Sequence, residues 1–191
     1  DVYKRQVMCN WETFRKQIPT GLNFSLSGIP YWNTDIGGFF NWPYHGGAEN
    51  KAYHELYTRW FQYGTFLPMQ RSHGSGVKKE IYNLGKKGDW VYDSEEKYIN
   101  LRYALLPYLY STGWQVTDNA GSFLRALFMD FNEDKKVHTI SNQYMFGKAF
   151  LVTPVTRNMY VFSDKEQWKD PYEDFSKTGT QDVYLPKGTK W

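Results

Sequence analysis

The chain has 191 residues, enough for one domain or one and a half with a sizeable core. Its formal net charge of +3 comes from 23 basic and 20 acidic side chains that are spread along the sequence. Because no polybasic run is present to neutralise phosphates, the sequence argues against a nucleic-acid partner. No run approaches the ~18 apolar residues of a membrane span, which argues against a membrane segment.

Aromatic side chains are the unusual feature of the composition, at 19% of the sequence with 8 Trp, 16 Tyr and 13 Phe. Flat rings suit sugar binding, because they pack against the apolar faces of pyranoses while polar groups bind the hydroxyls. The alternative, that the rings simply fill a large core, stays open at this point. The single cysteine, Cys9, excludes an internal disulfide and leaves the redox compartment open.

The N-terminal part of the sequence predicts a helix followed by a strand. Asn10 is suited to cap a helix whose apolar residues recur at helical spacing up to Ile18, and Pro19 then interrupts the pattern. Residues 22–31 predict a short strand. Residues 33–47, rich in glycine and aromatic residues, predict a long loop.

The same order repeats further along the chain. Residues 49–63 predict a second helix that Gly64 ends, and residues 65–70 predict a second strand. Asp35 follows the first predicted strand as His73 follows the second. Because the carboxyl ends of parallel strands meet at one edge of a sheet or barrel, we expect these two side chains to face the same pocket.

A third helix is predicted to begin with a capping box at Asp93 and Glu96 and to run to about residue 112, with a bend at Pro107. From near Gly121 the helical period is lost, and the pattern predicts strands at residues 123–131, 144–155 and 182–185. The chain is therefore predicted to be α/β, with about two parallel βα units followed by an incomplete β-rich domain.

Asp35 and His73 are the sharpest candidates for chemistry. A carboxylate and an imidazole that converge on a pocket act as acid and base or hold hydroxyls. The alternatives are that Asp35 caps the amides of Gly37 and Gly38 and that His73 is a satisfied core histidine. Arg71 predicts either a bidentate contact with a substrate or an ion pair with Asp35.

No metal site and no cofactor are predicted. The histidines show no metal-ligand spacing, and there is no second cysteine to assist them. The sequence also has no GxSxG, P-loop or dinucleotide-binding motif. The four histidines are His45, His54, His73 and His138.

Several blocks of the sequence, in the right order, resemble glycoside hydrolase family 31, which includes α-glucosidases and α-xylosidases. They are SGIPYWNTDIGGF (27–39), RWFQYGTFLPMQRSHG (59–74), EKYINLRYALLPYLYS (96–111), YMFGKAFLVTPV (144–155) and YLPKGTKW (184–191). The wording of the first two blocks is most similar to bacterial α-xylosidases. The resemblance implies that residues 7–121 are the C-terminal part of a (β/α)₈ TIM barrel and residues 122–191 the start of a β-sandwich domain.

The resemblance also implies a retaining hydrolase with two catalytic aspartates, one a nucleophile and one an acid/base. The nucleophile belongs to a strand upstream of this chain. The acid/base position falls on Gln6, and residues 1–6 are expected to be a non-native lead-in. Since a glutamine amide cannot donate a proton as a carboxylic acid does, we expect no catalytic residue and no turnover in this chain by itself.

What the resemblance leaves to this chain is substrate binding. His73 matches a histidine that hydrogen-bonds sugar hydroxyls, Asp35 matches the aspartate of the strand-7 loop, and Phe39 matches an aromatic residue that lines the pocket. Arg71 and Trp32 are neighbours of these three. The implied partner is an oligosaccharide, and the implied location is periplasmic or otherwise extracytoplasmic in a bacterium.

Two functions therefore remain. The first is a fragment of a hydrolase that removes non-reducing terminal α-linked xylose or glucose from oligosaccharides. The second is a non-catalytic carbohydrate-binding module, which Gln6 favours. Two βα units leave strand edges uncovered, so we also expect the isolated chain to melt with low cooperativity.

Overall fold

The computed structural model describes residues 7–177 and 179–191. Its α-helices are α1 (Trp11–Leu26), α2 (Lys51–Thr65), α3 (Ile81–Leu84), α4 (Trp90–Ala104), α5 (Leu106–Asn119) and α6 (Leu127–Asp130). Its strands are β1 (Leu124–Ala126), β2 (Tyr144–Phe146), β3 (Phe150–Val152), β4 (Val161–Phe162) and β5 (Tyr172–Glu173). Short 3₁₀ helices lie at Gly47–Glu49, Lys135–Thr139 and Glu166–Trp168.

The strands form two small antiparallel sheets. In the order β1-β2-β3, Leu124 lies opposite Phe146 and Tyr144 lies opposite Val152. In the second sheet, β4 pairs with β5. The predicted strand at residues 144–155 is therefore a hairpin of two strands, β2 and β3.

The prediction of a strand at residues 22–31 is wrong. Helix α1 continues through Pro19 and Gly21 to Leu26, and the amide of Ser27 closes it on the carbonyl of Asn23 at 3.0 Å. Gly21 is a packing residue here, because a Cβ on it would lie 2.8 Å from the ring of Trp32. Residues 29–35 form no assigned strand.

The prediction of a strand at residues 65–70 is also wrong. Thr65 is the last residue of α2, and the amide of Leu67 bonds the carbonyl of Gly64 at 3.3 Å in a tight turn. The guanidinium of Arg102 then donates to the carbonyls of Thr65 (2.8 Å), Leu67 (2.5 Å) and Pro68 (2.8 Å). In a strand, these carbonyls would accept hydrogen bonds from a neighbouring strand. Here they accept from a side chain of α4 instead.

The third predicted helix is two helices. The break is the single residue Leu105, which keeps right-handed helical angles; its amide bonds Leu101 and its carbonyl bonds Leu109, each at 2.9 Å. Pro107 lies in the first turn of α5, where its missing N–H leaves no helical bond unmade. The helix then runs to Asn119, beyond the predicted end at residue 112.

The β-rich part contains less strand than predicted. Only Leu124–Ala126 of the predicted 123–131 is a strand, and α6 follows directly. Residues 182–185 lie outside the assigned strands, but the side-chain amide of Gln143 bonds the backbone of Tyr184 twice, at 2.9 Å and 3.0 Å. This amide occupies the place that the peptide group of a neighbouring strand would take.

One aromatic core joins the helices to the first sheet. The ring of Phe14 stacks on that of Trp60, with centroids 4.8 Å apart, and Tyr63 meets Tyr144 edge to face at 6.1 Å. All four side chains are buried. These rings fill the core, while other aromatic side chains, such as Trp42 and Tyr110, are exposed. None of the helices in the described ranges is long and apolar enough to cross a bilayer.

A buried carboxylate ties α2 to the chain that leads into β4. Glu55 is fully buried, and its oxygens accept from the amides of Met159 (2.7 Å), Tyr160 (3.1 Å) and Val161 (2.8 Å). The Arg59 guanidinium lies 3.7 Å away. Charge-assisted bonds of this kind are strong in a low-dielectric interior.

Replacing this carboxylate by an amide is expected to destabilise the fold. In Glu55→Gln the amide NH₂ faces backbone N–H donors and leaves at least one of them unpaired, a loss of about 2–3 kcal/mol of unfolding free energy. Urea unfolding followed by circular dichroism measures the change. The exposed Glu49→Gln variant is the control, and an equal effect of both variants would contradict the assignment.

The burial of Glu95 predicts that stability depends on pH. Its side chain is fully buried; Oε1 accepts from Thr58 at 3.2 Å, and Oε2 has no hydrogen-bond partner among the described residues. Burial raises the pKa of Glu95 from 4.5 to about 8. Below pH 4.5 the group is protonated in both folded and unfolded chains, whereas between pH 4.5 and 8 only the unfolded chain ionises.

Stability is therefore expected to fall as the pH rises from 5 to 8, by on the order of 2–4 kcal/mol from this group. Glu95→Gln should remove that part of the pH dependence, because an amide does not ionise. The exposed Glu133→Gln variant should retain it. Parallel pH slopes for the unmodified chain and Glu95→Gln would show that Glu95 is already ionised in the fold.

Candidate functional site

Two loops lie side by side against α2: the first loop, residues 35–40, and the second loop, residues 71–75. The amide of Ile36 bonds the carbonyl of Arg71 at 3.2 Å, and the amide of Ser75 bonds the carbonyl of Phe39 at 2.9 Å. Parallel bridges link Phe40 to Ser75 and to Met8. The parallel arrangement of the two strand ends was thus predicted, although the strands themselves are absent from the described residues.

The first loop passes very close to the N-terminal segment because it contains Gly38. Gly38 has φ +77°, and a Cβ on it would lie 2.7 Å from the backbone nitrogen of Cys9. The amides of Phe39 and Phe40 then bond the carbonyl of Val7 at 2.7 Å and 3.1 Å. Only glycine permits both this backbone angle and this approach.

Asp35 and Arg71 form an ion pair between the two loops. The distance from Arg71 Nε to Asp35 Oδ1 is 3.8 Å, and the side chains are 50% and 15% exposed. The ion pair is one of the two arrangements that the sequence left open for Arg71. The half-exposed guanidinium still has donors free to face a ligand.

His73 lies beside Phe39, as predicted. Their ring centroids are 5.3 Å apart with planes tilted by 56°. His73 is exposed, so the alternative that it is a core histidine is wrong. The backbone carbonyl of Asp35 accepts a hydrogen bond from the Gly38 amide at 2.8 Å. The Asp35 carboxylate takes no part in that bond; it pairs with Arg71 and is partly exposed.

Trp32 does not pack with the other four predicted substrate-binding residues. Its ring packs on Phe24 of α1, with centroids 4.9 Å apart, and against Gly21. In the described structure Trp32 is therefore a packing residue beneath α1. Gln6, the predicted acid/base position, lies outside the described residues.

Sequence reasoning missed Lys79, which lies in a polar stretch between the second loop and α4. The side chain is buried, and its ammonium donates to the carbonyls of Ile36 (2.8 Å), His73 (2.8 Å) and Gly38. Burial lowers the pKa of Lys79 to about 8, while the nearby Asp35 carboxylate opposes that shift. A lysine among polar residues carries no signal that it will be buried.

An aromatic row leads away from His73, within the predicted loop at residues 33–47 that is rich in aromatic residues. Phe40 lies 4.7 Å from Phe39 and 4.9 Å from Trp42, measured between ring centroids. Trp42 is 72% exposed.

Within residues 7–177 and 179–191, no three His, Cys, Asp or Glu side chains converge as a metal site would require.

Comparison with known families assigns the chain. The profile described as "Glycosyl hydrolases family 31 TIM-barrel domain" matches residues 2–112, and the profile described as "Glycosyl hydrolase family 31 C-terminal domain" matches residues 120–191. The chain belongs to glycosyl hydrolase family 31. The predicted family is confirmed, and so is a TIM-barrel part followed by a C-terminal domain; the boundary at residue 121 and the β-sandwich stay predictions.

Individual family 31 proteins agree with this assignment. The chain is 46% identical over 170 residues to an α-xylosidase of Saccharolobus solfataricus, covering 86% of this chain and 22% of that protein. It is 34% identical over 157 residues to human intestinal sucrase-isomaltase, covering 79% of this chain and 8% of that protein. The chain thus corresponds to a small part of each relative.

Solved structures give the same result. A family 31 α-xylosidase from Xanthomonas citri superposes with a TM-score of 0.73 at 42% identity, covering 80% of this chain and 17% of that one. A family 31 α-xylosidase from a soil metagenome, complexed with xylose, gives 0.72 at 32% identity, covering 80% and 24%.

The close approach at Gly38 yields a prediction with a matched control. Gly38→Ala should lower the unfolding free energy by about 2 kcal/mol or more, because it combines a left-handed backbone with a clash against Cys9. Gly28, with φ +81° and nothing within 4 Å of an added Cβ, isolates the backbone effect. Urea unfolding of both alanine variants gives the difference, and equal losses would show that the Cys9 contact is unimportant.

Proposed function

We propose that this chain forms part of the non-reducing-end sugar pocket of a retaining α-glycoside hydrolase, which releases terminal α-linked xylose or glucose from oligosaccharides. The observation that carries the proposal is the meeting of Asp35, Arg71, Phe39 and His73 on two adjacent loops. The family membership and the names of the relatives support it.

These four side chains suit a pyranose. The Asp35 carboxylate accepts hydrogen bonds from hydroxyls, and the exposed His73 imidazole both donates and accepts. The ring of Phe39 offers an apolar face for the sugar ring, and the half-exposed Arg71 supplies further donors. Such a mixture of an aromatic face and a few convergent polar groups is typical of small-ligand sites.

The chain by itself is proposed to bind sugar without hydrolysing it. A retaining mechanism needs two carboxyl groups on opposite sides of the glycosidic bond. By family likeness the nucleophile lies on an upstream strand and the acid/base position falls on Gln6. An amide there neither protonates the leaving oxygen nor takes a proton from water.

Xylose is the preferred sugar in this proposal, because the 46% identical relative and the two structures described above are α-xylosidases. Xylose differs from glucose by lacking the C6 hydroxymethyl group, and a pocket discriminates by admitting or excluding that group. The extracytoplasmic location remains a prediction.

A carbohydrate-binding module is the second candidate, and Gln6 is the observation that favours it. Genomic DNA upstream of codon 7 separates the two functions. An in-frame Trp-x-Gly-Asp element and an earlier nucleophile block would rule out the binding module.

Xylose binding tests the pocket directly. Titration of the chain with xylose, followed by saturation-transfer NMR, should show binding that His73→Ala and Asp35→Asn each weaken about tenfold, equivalent to about 1.4 kcal/mol. His138→Ala, which changes an exposed histidine elsewhere, should bind as the unmodified chain does. Absence of binding by the unmodified chain would contradict the pocket, and release of nitrophenol from nitrophenyl α-xyloside would contradict its inactivity.

A further inference from the structure

We propose that Lys79 is the positioning residue of this pocket, because its buried ammonium joins the backbone of the first loop to that of the second loop. The inference rests on the proposed function, since it is the sugar-binding geometry that Lys79 would set. Lys79 itself touches neither the Asp35 carboxylate nor the His73 ring through the hydrogen bonds described, so it acts through the backbone.

Each carbonyl that Lys79 bonds lies at or next to a proposed sugar-binding residue. Ile36 follows Asp35, Gly38 precedes Phe39, and the third carbonyl is that of His73 itself. An ammonium has three N–H donors, and here three carbonyls accept them. Two of the acceptors belong to the first loop and one to the second loop, so the side chain is a bridge between them.

The burial of Lys79 makes this bridge rigid. The residue is only 7% exposed, and a charged donor in a low-dielectric setting forms stronger and more directional bonds than one in water. The titratable groups near it are the Asp35 carboxylate and the Cys9 thiol, and burial keeps that thiol protonated. Loss of the ammonium would leave three carbonyls facing an apolar stem.

Tyr57 of α2 anchors Lys79 in turn. The Tyr57 hydroxyl donates to the backbone carbonyl of Lys79 at 2.8 Å and lies 2.6 Å from Ser72 Oγ. Tyr57 is fully buried. The position of the second loop is thereby fixed to α2 on one side and, through Lys79, to the first loop on the other.

Lys79→Met is the decisive variant, because methionine keeps the apolar stem and removes the three donors. Lys78→Met is its matched control, since Lys78 is the exposed neighbour in the same loop. The chain has 4 histidines, so ¹³C,¹⁵N-histidine labelling gives 4 ring signals that report on separate places. Xylose affinity and these signals are measured for both variants.

In Lys79→Met we expect the His73 ring signal to shift and xylose affinity to fall at least tenfold, while the His54 and His138 signals stay in place. Lys78→Met should change neither. An unchanged His73 signal together with unchanged affinity would overturn the proposal, because a lysine with a merely structural role moves the melting temperature without moving that ring.

A second measurement needs no variant, in case Lys79→Met does not fold. In the unmodified ¹⁵N-lysine-labelled chain, one Nζ signal should have protons that exchange slowly with water and should shift when xylose is added. Rapid exchange at every lysine Nζ would overturn the proposal. Failure of the unmodified chain to bind xylose at all would instead defeat the proposed function, and the His73 shift in sugar-free Lys79→Met would then decide the positioning role alone.

Discussion

The buried Glu55 carboxylate, with three successive backbone amides directed at it, is the interaction on which the arrangement of the two parts depends. A fully buried carboxylate is tolerated only where such donors satisfy it. Because Glu55 lies on α2 and its donors lead into β4, moving the C-terminal part away from the helix would remove the three amides that satisfy this buried carboxylate. The aromatic contact of Tyr63 with Tyr144 reinforces the same junction.

Helix α2 serves the site as well as the core. Its side chains point in several directions: Glu55 holds the C-terminal part, Trp60 packs in the core under α1, and Tyr57 reaches the second loop. Residues two apart on a helix do not share a face, so Glu55 and Tyr57 contact different neighbours. The loops that carry the proposed sugar ligands are thus fixed to the same element that joins the two parts of the chain.

The helices could be predicted from the sequence because their signals are local. Asn10 and Asn50 cap α1 and α2, and the predicted 49–63 differs from the observed Lys51–Thr65 by two residues at each end. The strands could not be predicted as well, because a strand exists only where a neighbour bonds it. At residues 65–70 the carbonyls bond Arg102, and at residues 22–26 the chain continues as α1, with Gly21 packed against Trp32.

The site could be predicted in part, and for a similar reason. Asp35, Phe39 and His73 stand in recognisable sequence blocks, whereas Lys79 stands among polar residues and its burial is decided by carbonyls contributed from two distant segments. Trp32 shows the opposite error, because its nearness in sequence to Asp35 suggested a nearness in space that the fold does not provide.

The closeness of Cys9 to Gly38 has a practical meaning. Cys9 is the single cysteine of the sequence, it is fully buried under the first loop, and burial raises the pKa of its thiol to about 12. Because the thiolate is the reactive form, alkylating reagents meet an inert sulfur while the first loop is in place. The rate at which Cys9 is alkylated therefore measures how often the first loop moves away from Cys9.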